Sequence, residues 1–257
     1  MYSLKDKIVF ITGASAGIGL ASAQAFAAQG AKLILAARRR ERLAELAAEL
    51  KAVFGTATHI VTLDVRDRKA VEKAVAGLPA KWKDIEVLLN NAGLSRGLDK
   101  LQDGKHADWE EMIDTNVKGL LYVSRAVVPG MIKRGRGHVI NIGSLAGREV
   151  FPGGNVYCAT KFAVGALTKG MRLDLNGTGV RVSTVDPGMV ETEFSLVRFH
   201  GNAGRAGKIY QGFMPLIAED IADAVVYCAT RSLHVDVAEM LVLPTAQASA
   251  TLVNKKQ

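Results

Sequence analysis

Residues 7–40 read KIVFITGASAGIGLASAQAFAAQGAKLILAARRR, and the order of features along this stretch decides the fold. An apolar run meets Gly13, a turn follows that contains Gly17 and Gly19, an amphipathic stretch spans 18–29, and a second apolar run, KLILAA, closes the unit. Strand, turn, helix, strand is a βαβ unit, and strands without polar alternation are those buried on both faces of a parallel sheet. The glycines carry chemical meaning at this junction. The first N–H groups of a helix lack intrahelical partners and its dipole favours an anion there. Bare backbone at Gly13, Gly17 and Gly19, with Ser15 and Ile18 between them, lets a diphosphate approach. Glycine-rich turns also occur for purely conformational reasons, so it is the placement between this strand and this helix that carries the reading.

Outward from this unit the alternation continues. HIVTLDV precedes a helical stretch at 69–76; IEVLLNNAG precedes one at 109–133; GHVINIGS precedes a helix carrying Tyr157; GVRVSTVDPG and EMLVLPT supply the sixth and seventh strands. The expected fold is α/β, a single-domain Rossmann-type doubly wound sheet of seven parallel strands with helices on both faces, spanning 1–257. Residues 190–212 mix glycine with charge after the sixth strand. A long connection at the carboxyl end of a parallel strand is where such sheets bind ligands, so the region reads as a substrate lid. The tail spans 244–257.

Composition narrows the partners. The 257 residues are 49% hydrophobic, ample for one large core. The formal charge of +8 is dispersed and not interleaved with aromatics, which argues against nucleic acid and for an anionic cofactor and a small anionic substrate. No run of about 18 uncharged apolar residues suggests a membrane span, and the N-terminus passes directly into a strand, so a cytoplasmic protein is expected. Cys158 and Cys228 fall on separate helices and read as reduced thiols. His59, His106, His138, His200 and His234 are scattered, and no metal site is expected.

The chemistry-bearing residues cluster late in the chain. Tyr157 and Lys161 stand four apart in GNVYCATKFAVGALTKG, with Ser144 upstream. Residues at i and i+4 share a helix face, so an ammonium can face the same pocket as the phenol and favour the phenolate, lowering a pKa that is ordinarily ~10. An isolated match of this kind would more often be a rim tyrosine and a solvated lysine. Its company overturns that. TGASAGIG, Asp64 after the third strand, Asn90-Asn91-Ala92-Gly93 after the fourth, Asn116, Ser144, Tyr157 with Lys161, and Pro187-Gly188 occur in one order over residues 5–245, and in this the chain resembles the short-chain dehydrogenase/reductase family.

The resemblance implies an oxidoreductase that moves a hydride between a nicotinamide cofactor and a carbonyl or hydroxyl group. It implies that Asn116, Ser144, Tyr157 and Lys161 are catalytic: Tyr157 transfers the proton, Ser144 orients and stabilises the reacting oxygen, Lys161 holds the nicotinamide ribose and tunes the tyrosine, and Asn116 binds a relay water. It further implies that Asp64 and Val65 border the adenine, that Asn91, Ala92 and Gly93 support the cofactor side, and that Pro187, Gly188, Val190 and Thr192 pass the nicotinamide. Asp64 could instead be a helix cap, and Asn90 reads equally well as a loop stabiliser. An acidic residue closing the second strand would bind the ribose 2′-hydroxyl of NAD; here the position is Ala37, followed by Arg38 and Arg39, so NADP is the expected cofactor.

The lid MVETEFSLVRFHG, the following YQGFMPLIAEDIADAV and the ending VLPTAQAS resemble the NADP-dependent 3-hydroxy acid dehydrogenases, called serine or allo-threonine dehydrogenases. That resemblance implies short 3-hydroxy acids such as serine, allo-threonine or 3-hydroxyisobutyrate as substrates, and a homotetramer whose C-terminal segment reaches a neighbouring subunit. A carboxylate-bearing substrate needs a cation facing Tyr157; Arg148 and Arg198 lie in suitable segments, unless they pair with Glu149, Glu191 or Glu193. Two other readings stay open: an NADPH-dependent reductase of other aldehydes or ketones, sulfonated ones included, and a non-catalytic cofactor-sensing or scaffold protein.

Overall fold

The computed structural model describes residues 1–256; Gln257, the end of the expected tail, lies outside the described residues. Seven parallel strands form one sheet: β1 (Ile8–Thr12), β2 (Lys32–Ala37), β3 (Thr58–Thr62), β4 (Ile85–Asn90), β5 (Gly137–Ile142), β6 (Val180–Pro187) and β7 (Glu239–Val242), in the spatial order β3-β2-β1-β4-β5-β6-β7. Between them run α1 (Gly17–Ala28), α2 (Arg40–Phe54), α3 (Arg68–Ala76), α4 (His106–Ile113), α5 (Leu120–Arg134), α6 (Asn155–Asp174), α7 (Phe194–Arg198), α8 (Ala203–Lys208) and α9 (Ala218–Ala229). All seven expected strands are present.

Apolar strands become double-sided because alternate residues point to opposite faces. Val9 and Ile11 of β1, with Leu33, Leu35, Val87 and Leu89, pack against Phe26 of α1, Leu43, Leu46 and Leu50 of α2, and Ile221 and Val225 of α9. Ile8 and Phe10, with Ile34, Leu88, Val139 and Val182, pack against Val71 of α3 and Val123, Val127 and Met131 of α5. The chain leaves β1 for β2 and β3 on one side, then returns to β4 on the other. That reversal opens a crevice at the carboxyl ends of β1 and β4, the general ligand position in such sheets.

Two local features of the backbone bear on the site. The helix expected over 109–133 is interrupted by a π-helical stretch, Asp114–Gly119, which places Asn116 in the break. The lid is not structureless, since α7 and α8 lie within it. His200 at φ 52° and Gly201 at φ 89° form the left-handed link that separates them.

Candidate active site

A cleft of about 550 Å³ runs along the carboxyl ends of the strands, and one continuous wall brings together Gly13, Ser15, Gly17, Ile18, Arg38, Arg39, Asp64, Val65, Asn91, Ala92, Gly93, Ser144, Tyr157, Lys161, Pro187, Gly188, Val190, Thr192 and Arg198. These residues come from seven separate stretches of chain, and the sheet switch point is what makes them neighbours.

The anion-facing end is built from backbone. Gly13 (φ 67°) and Gly17 (φ 52°) adopt left-handed conformations that β-carbons disfavour. Neither a side-chain cap nor an acidic residue serves the first turn of α1, so its N–H groups stay available to an anion in the cleft. Gly19 has a different task from the one its spacing suggested. It lies off the cleft wall, and a β-carbon there would collide with the Gly13 carbonyl and the Asn91 carboxamide; its bareness serves the packing of α1 on the β1–β4 turn. Asn91 holds that turn by donating to the Thr12 and Gly13 carbonyls at 2.9 and 3.2 Å. Asn90 is structural, its amide buried between Ser124 and Asn141 at 2.9 Å each. Asp64 is not a helix cap, because Asp67 caps α3. Asp64 takes a bidentate grip from Arg66, whose hydrogen bonds hold its carboxyl below the ordinary range. Arg39 spans to Ser15, donating from Nε at 3.2 Å and Nη2 at 3.1 Å. These groups fit a phosphate-bearing dinucleotide.

At the reacting end, α6 carries Tyr157 and Lys161 inward, both buried. Burial is the largest influence on Tyr157 and raises its pKa; Arg198, then the Ser144 hydroxyl, pull it down. Sequence spacing gave that task to Lys161; a second cation, Arg198, stands at a similar distance from the ring. Lys161 Nζ lies 6.0 Å from the ring centroid and donates to the Ile142 carbonyl at 2.9 Å, whereas the Arg198 guanidinium stands 5.5 Å from the same ring. Lys161 is itself pushed down to about 8 by burial, partly offset by Asp186.

That depression makes Lys161 costly to the fold. Between about 8 and the unfolded lysine value of ~10.4, the unfolded chain holds a proton that the folded chain has released. Stability therefore rises with pH across that window, and the full penalty of burying the ammonium applies below it. Lys161→Met should raise the unfolding free energy at pH 7 by on the order of 1–3 kcal/mol, a gain that shrinks as pH climbs above 8. Denaturant unfolding of both forms at pH 7 and 9.5 checks this; a variant less stable than the parent at pH 7 contradicts it.

Asn116 does not reach the cleft wall. Its carboxamide is spent on the Leu94 backbone, accepting from N–H and donating to C=O at 2.8 Å each, and on Thr160 at 3.0 Å. The side chain thus ties the β4 loop to α6. Arg148 does not line the cleft. It points away from the cleft into an ion-pair cluster, with Nη2 2.6 Å from both Asp186 and Glu239, because β6 and β7 place those carboxylates beside it. Arg198 is the opposite case. It is half-buried, no acidic partner pairs with it among the described residues, its Nε is buried without a hydrogen-bond partner, and it stands over Tyr157 and Phe194.

Sequence reasoning missed Tyr210, Phe194, Ser195 and Phe151, which also line the cleft. Tyr210 donates to the Val190 carbonyl at 2.8 Å and meets Ser195 at 2.8 Å, pinning the lid. These residues carry no motif spacing; only the packing of α7 over Tyr157 reveals them. The tail crosses the lid of its own chain, with Lys256 N–H donating to the Gly212 carbonyl at 2.7 Å.

A doubly wound sheet, a glycine turn aimed at a cleft and a Ser–Tyr–Lys set in that cleft, its tyrosine and lysine buried, define a nucleotide-dependent oxidoreductase. The short chain dehydrogenase family model matches residues 7–201, and the chain belongs to that family. The chain is 48% identical over 246 residues, 95% of its length and 98% of the relative's, to the NADP-dependent 3-hydroxy acid dehydrogenase YdfG of Escherichia coli strain K12. It is also 48% identical over 242 residues, 94% of its length and 95% of the relative's, to sulfoacetaldehyde reductase 2 of Chromohalobacter salexigens. Among solved structures it is similar to the closed form of serine dehydrogenase complexed with NADP+, with a TM-score of 0.92 and 47% identity over 97% of this chain and all of that one.

Proposed function

We propose that this enzyme interconverts short 3-hydroxy acids, of the serine, allo-threonine and 3-hydroxyisobutyrate type, and their 3-oxo acids or semialdehydes, with NADP as cofactor. When bound, NADP accepts or supplies the hydride. Its phosphates fit the Gly13–Gly17 turn and the free first turn of α1, its adenine end fits Asp64 and Val65, and a 2′-phosphate fits Arg38 and Arg39, where Ala37 offers no carboxylate to repel it.

The chain's own residues then divide the work. Tyr157, kept protonated by burial, gives its proton to the carbonyl oxygen in reduction and takes it back in oxidation. Ser144 hydrogen-bonds the same oxygen and stabilises its developing charge. Lys161 holds the ribose, and Asn116 fixes the loop that carries Gly93 beside it. Arg198 receives the substrate carboxylate. The observation that carries the acid-substrate reading is Arg198: a cleft-lining guanidinium whose Nε is buried without a partner and that has no carboxylate beside it is costly, and a site that must bind an anion is where such a cost is retained.

A sulfonate would satisfy Arg198 as well as a carboxylate does, and the similarity to a sulfoacetaldehyde reductase gives that second reading its footing. Initial rates with NADP and NADPH across short 3-hydroxy acids, sulfonated aldehydes, neutral alcohols and neutral aldehydes separate them. The expected order puts 3-hydroxy acids first and neutral substrates last; a preference for neutral carbonyls would sink the reading. We take the enzyme to be cytoplasmic, a single domain and a homotetramer. Among the described residues no helix is long and apolar enough to cross a membrane, and exposed Phe162 and Leu173 on α6, with Leu121 and Ile132 on α5, leave apolar surface for subunits to cover.

A further inference from the structure

Glu193 immediately precedes α7, and two arginines from the end of β2 and the start of α2 hold its carboxylate. Arg39 Nη1 lies 2.9 Å from Oε2 and Arg42 Nη1 lies 2.5 Å from Oε1. These contacts hold its carboxyl below the ordinary range, Arg42 contributing most, so the side chain is ionised at neutral pH. The other nitrogens of Arg39 grip Ser15 in the glycine turn. One guanidinium therefore bridges the phosphate turn and the lid, and Arg38, Arg39 and Glu193 all line the cleft.

We propose that Glu193 is a specificity-determining residue for the cofactor's 2′-phosphate, competing with it for Arg39 so that binding exchanges carboxylate for phosphate on that guanidinium. The inference rests on the NADP reading above. A phosphate monoester carries a charge of about −1.5 to −2 at neutral pH and prefers the planar fork of an arginine. Half-exposed pairs like those of Glu193 are weak, so the phosphate wins the exchange, but against a like charge already in the cradle. Cofactors without a 2′-phosphate have no reason to disturb the pair. Arg42 keeps its own hold on Glu193, so the carboxylate stays at the start of α7 while Arg39 turns to the phosphate.

The test is binding on the intact protein, read from the fluorescence of NADPH and NADH, with competition by 2′,5′-ADP and 5′-AMP. Relative to the parent, Glu193→Gln should tighten NADPH and 2′,5′-ADP by about three- to tenfold, the scale expected for removing one partly screened charge, and change NADH and 5′-AMP by less than about twofold. The gain should vanish in an Arg39→Gln background. Weaker NADPH binding, an equal shift for both cofactors, or an undiminished gain without Arg39 would each overturn the proposal. Equal affinity of the parent for NADPH and NADH is a separate result that removes the NADP reading itself, whatever Glu193→Gln does.

Discussion

Tyr157→Phe should lower kcat by about 100-fold or more, the scale of losing a positioned acid/base, while NADPH binds almost as tightly as before. The change removes one oxygen and leaves the ring, which packs edge-on against Phe194 at 5.7 Å between centroids. The helix around it is held by contacts that do not use the hydroxyl: Thr160 donates to the Tyr157 carbonyl at 2.7 Å, and Lys161 donates to Ile142. What is lost is the proton carrier and its polar interaction with Ser144. The loss should therefore appear in the chemical step and not in cofactor affinity, the mark of an interaction made only during reaction. Single-turnover rates with prebound NADPH, alongside NADPH titration by fluorescence, separate the two. Retention of more than about a tenth of the parental rate would be too small a loss for a general acid and would remove Tyr157 from that role.

How much of this site could be read from sequence depends on the kind of interaction that fixes each residue. The βαβ unit at residues 7–40 and the later strands were legible because burial on two faces leaves an unbroken apolar run, and the two core clusters on either side of the sheet confirm that cause. Tyr157 and Lys161 were legible as a pair because helix geometry puts i and i+4 on one face. Their electrostatics were not. The distance from Lys161 Nζ to the ring, and the carbonyl that intercepts it, depend on where β5 ends relative to α6, which no local spacing encodes. Arg148 and Arg198 looked equivalent as sequence because both sit in cleft-side loops rich in acidic neighbours. The register of β6 with β7, which pairs Asp186 with Leu241 and Thr184 with Glu239, sets two carboxylates beside Arg148 and none beside Arg198. Gly19 misled for a related reason: a glycine needed for close packing and one needed for ligand approach leave the same letter in a turn.

Arg198→Ala should cost roughly 2–4 kcal/mol in kcat/KM for a short 3-hydroxy acid, on the scale of truncating one partner of a buried charge pair, and far less for a neutral alcohol of the same length. A small substrate offers little apolar area to bind, so its carboxylate must provide most of the orientation that brings the reacting carbon to Tyr157. Arg198 is the cleft-lining cation placed to do this, 5.5 Å from the Tyr157 ring and 5.2 Å from that of Phe194. Truncation also removes the second-largest influence on the Tyr157 pKa, and that part of the loss should fall on acid and neutral substrates alike. The excess loss on the acid measures carboxylate recognition. Folding is not at risk, because the alanine variant sheds a half-buried guanidinium that has no acidic partner and an unsatisfied Nε; thermal unfolding of the free protein should stay level or move upward. Arg198→Lys should recover only part of the acid activity, since an ammonium keeps the charge but loses the two-pronged match to a carboxylate. Arg148→Ala is the counterpart. It strands Asp186 and Glu239 without their shared cation, so it should lower stability while leaving the ratio of acid to neutral kcat/KM unchanged. If Arg198→Ala also left that ratio unchanged, the cleft would hold no carboxylate reader, and the reduction of neutral aldehydes or ketones would become the better account of the site.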